Sequence, residues 1–183
     1  MILQYAIDKI QSCNDIYLVK DIANSVNSNQ IQNKEWLREK LEPFLDMMYE
    51  PKIVVAAGWH GLTAHMLDRN VVSFDMDPRC KETKLFRNVK YETSRIEDFD
   101  PSPYDIIICT SCEHITDEVI NNFISKKKKS ALVVLQSNNY YYIKDHINCK
   151  QNCDEFAKKI DMELLESHTL ELEKYNRFML FGI

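Results

Sequence analysis

The sequence lacks any apolar run that approaches the ~18 residues needed by a membrane-spanning helix. It also lacks an excess of basic residues, because its net charge is −5. A general nucleic-acid binder carries a basic footprint, so this balance argues against one, although a local basic patch could still dock a nucleic acid. The first residues offer no basic segment ahead of an apolar core, so they lack the pattern of a secretory signal. We therefore expect a cytoplasmic protein whose six irregularly spaced cysteines stay reduced.

Glycine is scarce as well, because the chain has only three, and two of them, Gly58 and Gly61, lie within one turn. Glycine permits backbone conformations and close approaches that other residues resist, so its concentration at this turn is informative. The turn follows an apolar run over residues 53–57 and precedes a helix predicted over residues 62–69. A second apolar run then ends at Asp75.

A strand, a glycine turn, a helix and a second strand that ends in an acid are typical of a nucleotide-binding unit. Amides at the helix start face the ligand, and a carboxylate at the position of Asp75 accepts hydrogen bonds from ribose hydroxyls. The alternative for the two glycines is an ordinary strand-to-helix turn. The alternative for Asp75 is a helix N-cap, but Asp77, which directly precedes Pro78, fits that role better.

The periodicity of the chain changes after residue 50. Residues 1–50 show helical spacing of apolar residues, whereas residues 51–183 alternate short apolar strands with helices, which predicts a parallel sheet covered on both faces. The last two strand-like runs have a linker too short for a helical crossover and should form an antiparallel hairpin. The predicted strands cover residues 53–57, 71–75, 89–92, 104–109, 131–135, 162–171 and 175–182.

These elements together predict one α/β domain over residues 1–183. It has N-terminal helices and a Rossmann-like doubly wound sheet, in which five parallel strands are followed by a C-terminal antiparallel hairpin. Ligands of an open sheet of this kind lie beyond the carboxyl ends of the strands. Three segments should meet there: the turn at Gly58, residues 110–114 and residues 136–140. The last segment is rich in amides and hydroxyls that suit polar substrate atoms, and a loop that merely caps the strand is the alternative.

The same elements resemble the class I S-adenosylmethionine-dependent methyltransferases over residues 51–183. The turn at Gly58 and Gly61 resembles the first motif of that family, and Asp75 resembles its ribose-binding acid. Residues 104–115 resemble its fourth strand and substrate-side loop, where Glu-His-Ile at 113–115 is similar to the Glu-His-Leu or Glu-His-Ile of small-molecule members. The combination of Gly-Trp-x-Gly, Ser-Cys-Glu-His and Gln-Ser-Asn-Asn-Tyr further resembles small phage-encoded methyltransferase-like proteins.

The resemblance implies S-adenosylmethionine as the cofactor and a small polar molecule or a nucleotide as the methyl acceptor. Glu113 and His114 are the candidate proton acceptors, since histidine titrates near neutral pH. A histidine that only hydrogen-bonds its own loop is the alternative for His114. The residues expected at the cofactor are Ala57, Gly58, Trp59, Gly61, Asp75, Ile96 and Thr110. The residues expected at the acceptor are Ser111, Cys112, Gln136, Asn138 and Asn139.

Three residues depart from the family pattern. Val55 stands where the family has an acid, and Trp59 stands where it has its middle glycine. Arg95 falls near the position at which an acid often meets the adenine amino group. The departures at Val55 and Trp59 support one alternative, a non-catalytic relative that acts as a binding or assembly subunit. A second alternative keeps the cofactor but transfers its aminocarboxypropyl arm instead of the methyl group, which the fold alone does not distinguish.

The cysteines invite two further interpretations. Cys112 follows the fourth strand, as the nucleophile of cytosine-5 methyltransferases does, but Ser111 replaces the usual proline. The neighbouring Glu113 would also raise the pKa of the thiol, so packing is the favoured role. His146, Cys149 and Cys153 have metal-like spacing, but no further pair of Cys or His nearby completes four ligands, although His168 could join through the fold. Structural thiols are therefore favoured over the alternative of a zinc site, and no metal is expected.

Overall fold

The computed structural model describes residues 2–183 and consists of one mixed sheet with helices on both faces. The helices are α1 (Ile2–Gln11), α2 (Ile16–Ser25), α3 (Ser28–Asp46), α4 (Leu62–Met66), α5 (Pro78–Thr83), α6 (Asp117–Ser125) and α7 (Cys153–Lys158), with a single 3-10 turn at Cys112–His114. The strands are β1 (Ile53–Ala56), β2 (Val71–Asp75), β3 (Lys90–Thr93), β4 (Ile106–Cys109), β5 (Leu132–Asn138), β6 (Leu164–Glu171) and β7 (Asn176–Gly182).

The sheet has seven strands in the order β3-β2-β1-β4-β5-β7-β6. Strands β1 to β5 pair in parallel, and β7 pairs antiparallel with both β5 and β6. This confirms the predicted doubly wound sheet with five parallel strands, a C-terminal hairpin and N-terminal helices. The strand order reverses between β1 and β4, so the carboxyl ends of these two strands mark the place where a ligand is expected.

Strand β1 shows why the chain adopts this architecture, because its side chains are buried on both faces of the sheet. Val55 faces a core that contains Leu37 and Leu41 of α3. Val54 faces the opposite core, which contains Phe123 of α6 and Phe156 of α7. A strand covered on both faces has no polar side, which explains its continuous apolar sequence. The N-terminal helices therefore complete one of the two helical layers.

The structure corrects the boundaries of several predicted elements. Strand β5 continues to Asn138, three residues beyond the predicted end at Leu135, so Gln136 and Asn138 belong to the strand and not to a loop. The reason is the antiparallel partner β7, which pairs Gln136 with Met179 and Asn138 with Arg177. Helix α4 ends at Met66 rather than at residue 69. Within residues 2–183, no helix is both long and apolar enough to cross a lipid bilayer.

Gly58 is required by close packing between β1 and β2 rather than by a special backbone conformation. A Cβ at this position would lie 2.1 Å from Ser73 Oγ and 3.3 Å from Val55 Cγ1. The Ser73 hydroxyl is itself buried and has no hydrogen-bond partner among residues 2–183. Gly61 differs, because its φ of 81° is left-handed and its Cβ would also strike the Tyr91 ring.

We expect Gly58→Ala to lower the free energy of unfolding by about 1–3 kcal/mol, the usual cost of overpacking. Because the main clash is with the Ser73 hydroxyl, Gly58→Ala combined with Ser73→Ala should recover most of that loss. Ser73→Ala alone serves as the control and should be as stable as the wild type or more so, since it removes a buried hydroxyl that has no partner in the described part of the chain. Urea unfolding of the four proteins measures the coupling, and an equal effect of Gly58→Ala in both backgrounds would contradict a clash with Ser73.

Candidate functional site

Two adjoining cavities open at the carboxyl ends of β1, β2 and β4. The apolar cavity has a volume of about 540 Å³ and extends past Asp75 toward Ile96 and Ile147. The polar cavity has a volume of about 250 Å³ and extends toward Lys34 and Arg177. The residues shared by both walls are Ala57, Trp59, Ser111 and His114.

The turn between β1 and α4 forms the boundary between the two cavities. Ala57 and Trp59 both have left-handed backbones, with φ of 48° and 49°, although neither is glycine. Such conformations are strained and persist only where the surroundings hold them. Two contacts from the end of β2 hold this turn. The Trp59 amide donates to Asp75 Oδ2 at 2.9 Å, and the Gly58 amide donates to the Phe74 carbonyl at 2.9 Å.

Asp75 lies where the nucleotide-binding pattern predicts it, at the end of β2 on the wall of the apolar cavity. Its Oδ1 accepts a hydrogen bond from the Asp77 amide at 3.0 Å. A carboxylate offers about four acceptor positions, so the two backbone amides leave others for a ligand. Asp77 caps α5 by accepting from the Arg79 amide at 2.9 Å, which confirms the predicted helix cap.

The walls of the apolar cavity suit a flat, largely apolar group. Arg95 is held at the edge by an ion pair with Glu97, with Nη2 and Oε1 2.9 Å apart. This pairing offsets the positive charge of Arg95, which lies near the position where the family often has an acid. The apolar wall residues come from the ends of β2 and β3 and from the segments after β4 and β5, and they are Phe74, Met76, Ile96, Ile115, Val119 and Ile147.

The Trp59 indole does not fill the apolar cavity. Its Nε1 donates to Asp21 Oδ2 at 3.1 Å, and His60 Nε2 lies 2.9 Å from the same oxygen. Asp21 belongs to α2, so this contact fastens an N-terminal helix to the turn. Sequence reasoning missed Asp21, because a lone aspartate on a largely exposed helix carries no motif.

A buried ion pair organises the polar cavity. Glu113 Oε1 accepts from Asn138 Nδ2 at 2.7 Å and from Arg177 Nη1 at 3.3 Å. Arg177 Nη2 also donates to the Thr110 carbonyl at 2.7 Å. Glu113 Oε2 and Arg177 Nε are buried and have no hydrogen-bond partner among residues 2–183. Unpaired buried polar atoms are uncommon, and here they belong to side chains that line a cavity able to hold a polar ligand.

Lys34 reaches the same cavity from α3, and its Nζ donates to Thr110 Oγ1 at 3.1 Å. Burial, and to a smaller extent the nearby Arg177 charge, lower the pKa of Lys34 to about 7 against the opposing effect of Glu113. The ammonium therefore loses its proton near neutral pH. Sequence reasoning missed Lys34 and Arg177. The only signal for Arg177 is a charged residue near the start of an otherwise apolar strand.

The structure brings together ten of the fourteen residues predicted for the site, because their side chains or backbones line at least one cavity. These are Ala57, Gly58, Trp59, Asp75, Ile96, Thr110, Ser111, Glu113, His114 and Asn138. The other four do not line either cavity: Gly61, Cys112, Gln136 and Asn139.

Each of these four residues has a structural contact elsewhere. Gly61 packs against Tyr91, and Asn139 pairs with the backbone of Asn176. Gln136 is buried deeper in β5, with its Nε2 3.4 Å from Met179 Sδ. Burial raises the pKa of the Cys112 thiol well above its ordinary value, as does its contact with Cys109, which fits the packing role and not a nucleophile.

Solved structures match this chain in fold. Magnesium protoporphyrin IX methyltransferase from Synechocystis PCC 6803, crystallised with bound SAM, has a TM-score of 0.66 at 14% identity, and the match covers 96% of this chain and 89% of that one. For the plantazolicin methyltransferase BpumL, in complex with SAH, the TM-score is 0.67 at 11% identity, with 99% and 97% covered. For a TehB-like SAM-dependent methyltransferase from Corynebacterium glutamicum, the TM-score is 0.53 at 12% identity, with 86% and 100% covered.

This chain has the class I methyltransferase fold. No family model and no curated protein sequence matches it. Within this fold, the turn after β1 lies where the strand order reverses, and Asp75 lies beside it at the carboxyl end of the neighbouring strand β2.

The titration of Lys34 should appear in the stability of the protein. Since its pKa falls from 10.5 to about 7 on folding, the unfolded chain binds more protons between these values. The cost of burying the charge is fully present below pH 7, and the free energy of unfolding should rise by about 1 kcal/mol per pH unit from there toward pH 10. Lys34→Met removes this titration. Its stability advantage over the wild type, measured by urea unfolding, should be largest below pH 7 and shrink as the pH rises.

The matched control is Lys20→Met, which changes an exposed lysine on α2. Its effect on the free energy of unfolding should stay constant over the same pH range. A constant effect for Lys34→Met would show that the buried ammonium keeps an ordinary pKa.

Proposed function

We propose that the protein binds S-adenosylmethionine and transfers its methyl group to a small polar molecule or a nucleotide. The observation that carries this proposal is the position of Asp75, whose carboxylate lines a cavity of about 540 Å³ at the reversal of strand order. The structural neighbours crystallised with SAM or SAH support the choice of ligand. The cavity volume lies within the range of small-molecule sites, roughly 300–1,000 Å³.

The apolar cavity fits the adenosine part of the cofactor. The free acceptor positions of Asp75 would receive hydrogen bonds from the ribose hydroxyls. Ile96 and Ile115 would contact the adenine ring as part of the apolar wall. Trp59 would line the cavity beside the ligand, with its indole held by Asp21.

The polar cavity fits the charged end of the cofactor and the acceptor. Val55 is buried in the core beneath the sheet, so it cannot replace the acid of the family's first motif. The cationic groups that line this cavity are the protonated fraction of Lys34 and the guanidinium of Arg177, whose Nε–H finds no partner in the part of the chain that the structure describes. Both suit a carboxylate, whether it belongs to the methionine part or to the acceptor.

Methyl transfer asks little of the protein beyond alignment and, for some acceptors, removal of a proton. The bound cofactor supplies the electrophilic methyl group. His114 lines both cavities and donates from Nδ1 to the Asp145 carbonyl at 2.9 Å, so Nε2 of the neutral ring is left to accept a proton. Glu113 is less available as a proton acceptor, because one of its oxygens already accepts hydrogen bonds from Arg177 and Asn138.

Cofactor binding tests the proposal directly. The wild-type protein should bind S-adenosylmethionine and its demethylated product in a calorimetric titration, and Asp75→Asn should weaken both by about ten- to hundredfold. The loss corresponds to removing charge-assisted hydrogen bonds to the ribose, each of about 1.5–3 kcal/mol. The matched control is Asp161→Asn, an exposed aspartate that does not line either cavity, and its affinity should equal that of the wild type.

Failure of the wild type to bind either ligand would overturn the proposal and favour a non-catalytic assembly role. Equal affinities for the wild type and Asp75→Asn would instead remove Asp75 from the site. Circular dichroism of both variants separates a lost contact from a lost fold.

Product analysis distinguishes the two possible transfers from the same cofactor. Incubation of the protein and S-adenosylmethionine with pooled small polar molecules and nucleotides should yield S-adenosylhomocysteine above a protein-free control. Methylthioadenosine in its place would mean that the aminocarboxypropyl arm is transferred. Chromatography of the reaction mixture measures both products.

A further inference from the structure

Three potential metal ligands converge in the polar cavity. Glu113, His114 and His146 each offer an oxygen or a ring nitrogen, and these three atoms lie within 4.8 Å of one another. Glu113 and His114 come from the turn after β4, whereas His146 comes from the loop after β5. The sequence predicts no metal site here, because spacing along the chain groups His146 with Cys149 and Cys153 and not with Glu113 and His114.

The backbone holds both imidazoles in the state that a metal needs. His114 Nδ1 lies 2.9 Å from the Asp145 carbonyl, and His146 Nδ1 lies 2.8 Å from the Tyr140 carbonyl. A carbonyl oxygen can only accept, so each Nδ1 carries the hydrogen and each Nε2 of a neutral ring carries a lone pair. Metal-binding histidines are typically oriented in this way, with the far ring nitrogen donating to a carbonyl or carboxylate.

The Glu113 carboxylate is also held in place by hydrogen bonds, with one oxygen left over. Asn138 and Arg177 both donate to Glu113 Oε1, which fixes the side chain. Oε2 is buried and has no hydrogen-bond partner among residues 2–183, while only 5% of the side chain is exposed. Leaving a carboxylate oxygen buried without a partner is costly, and coordination to a cation would remove that cost.

We propose that Glu113, His114 and His146 form a binding site for a divalent first-row transition ion. Two imidazole nitrogens and one carboxylate oxygen favour zinc, iron, cobalt, nickel or manganese over magnesium and calcium, which prefer oxygen ligands alone. Ligand distances of about 2.0–2.2 Å would bring the three atoms within about 4 Å of one another, somewhat closer than the 4.8 Å limit within which they lie. His114 is exposed, which leaves its ring room to move toward the other two ligands. Three protein ligands leave coordination positions open to water or to an acceptor oxygen.

The site does not depend on the proposed methyl transfer, because metal binding is measured without cofactor. It does change the role of His114, which as a ligand can no longer accept a proton. The ion would lie in the polar cavity beside Thr110 and Arg177, on the acceptor side of the turn at Gly58. There the ion would lower the pKa of a coordinated hydroxyl group of the acceptor and so ease the loss of its proton, which otherwise requires a general base.

Titration of the chelator-treated protein with Co²⁺ tests the site. The wild type should develop visible d–d absorption that saturates at one equivalent, and a stoichiometric amount of Zn²⁺ should displace it. His114→Gln and His146→Gln should each weaken Co²⁺ binding by about tenfold or more. The matched control is His168→Gln, since His168 also pairs with a carboxylate, Glu166, but lies outside the cavity. Its affinity should equal that of the wild type.

Proton NMR of the Co²⁺-bound wild type supplies a second measurement that needs no variant. Two hyperfine-shifted, exchangeable imidazole N–H signals should appear, because both Nδ1 atoms keep their hydrogens. Absence of saturable Co²⁺ binding, or saturable binding that neither His114→Gln nor His146→Gln weakens, would overturn the proposal. Failure of S-adenosylmethionine to bind would leave these metal measurements unaffected, so the two proposals fail independently.

Discussion

The buried ion pair between Glu113 and Arg177 determines the arrangement of the polar side of the site. Arg177 of β7 pairs with Asn138 of β5, and its guanidinium also holds the Thr110 carbonyl after β4. Desolvation offsets most of the attraction within a buried pair, so the pair adds little net stability. Its effect is to hold the two side chains, and the strands that carry them, in place. Removal of either charge would leave the other buried and uncompensated. The hairpin is thereby locked to the edge of the sheet where ligands are expected.

The turn after β1 is the second constraint, and it is a strained one. Ala57 and Trp59 have left-handed backbones that glycine would adopt without cost. The Asp75 carboxylate accepts a hydrogen bond from the Trp59 amide, so the residue proposed to bind the ribose also supports the turn. This hydrogen bond joins the two parts of the nucleotide-binding pattern, the glycine turn and the acid at the end of the second strand. Strain of this kind is concentrated at functional sites, where the surrounding packing maintains it.

The N-terminal helices contribute to the site as well as to the core. Lys34 of α3 enters the polar cavity, and Asp21 of α2 holds the Trp59 indole. The result is a division between an apolar cavity beside Asp75 and a polar cavity around Glu113. A bipartite ligand with an aromatic base and a charged amino-acid end matches this division. The buried ammonium of Lys34 is a costly element of the arrangement, as the fall of its pKa to about 7 shows.

The sequence by itself determined the alternation of strands and helices, the terminal hairpin and the acid at the end of the second strand. These follow from local periodicity and turn chemistry, which neighbouring residues encode. Only the tertiary structure decided that Lys34 and Arg177 meet at Thr110, and that Gln136 lies too deep to reach the cavity that Asn138 lines. Such contacts join residues far apart in the chain, and they depend on how helices and strands pack against one another. A single lysine on a helix or an arginine at a strand start carries no local mark of that packing.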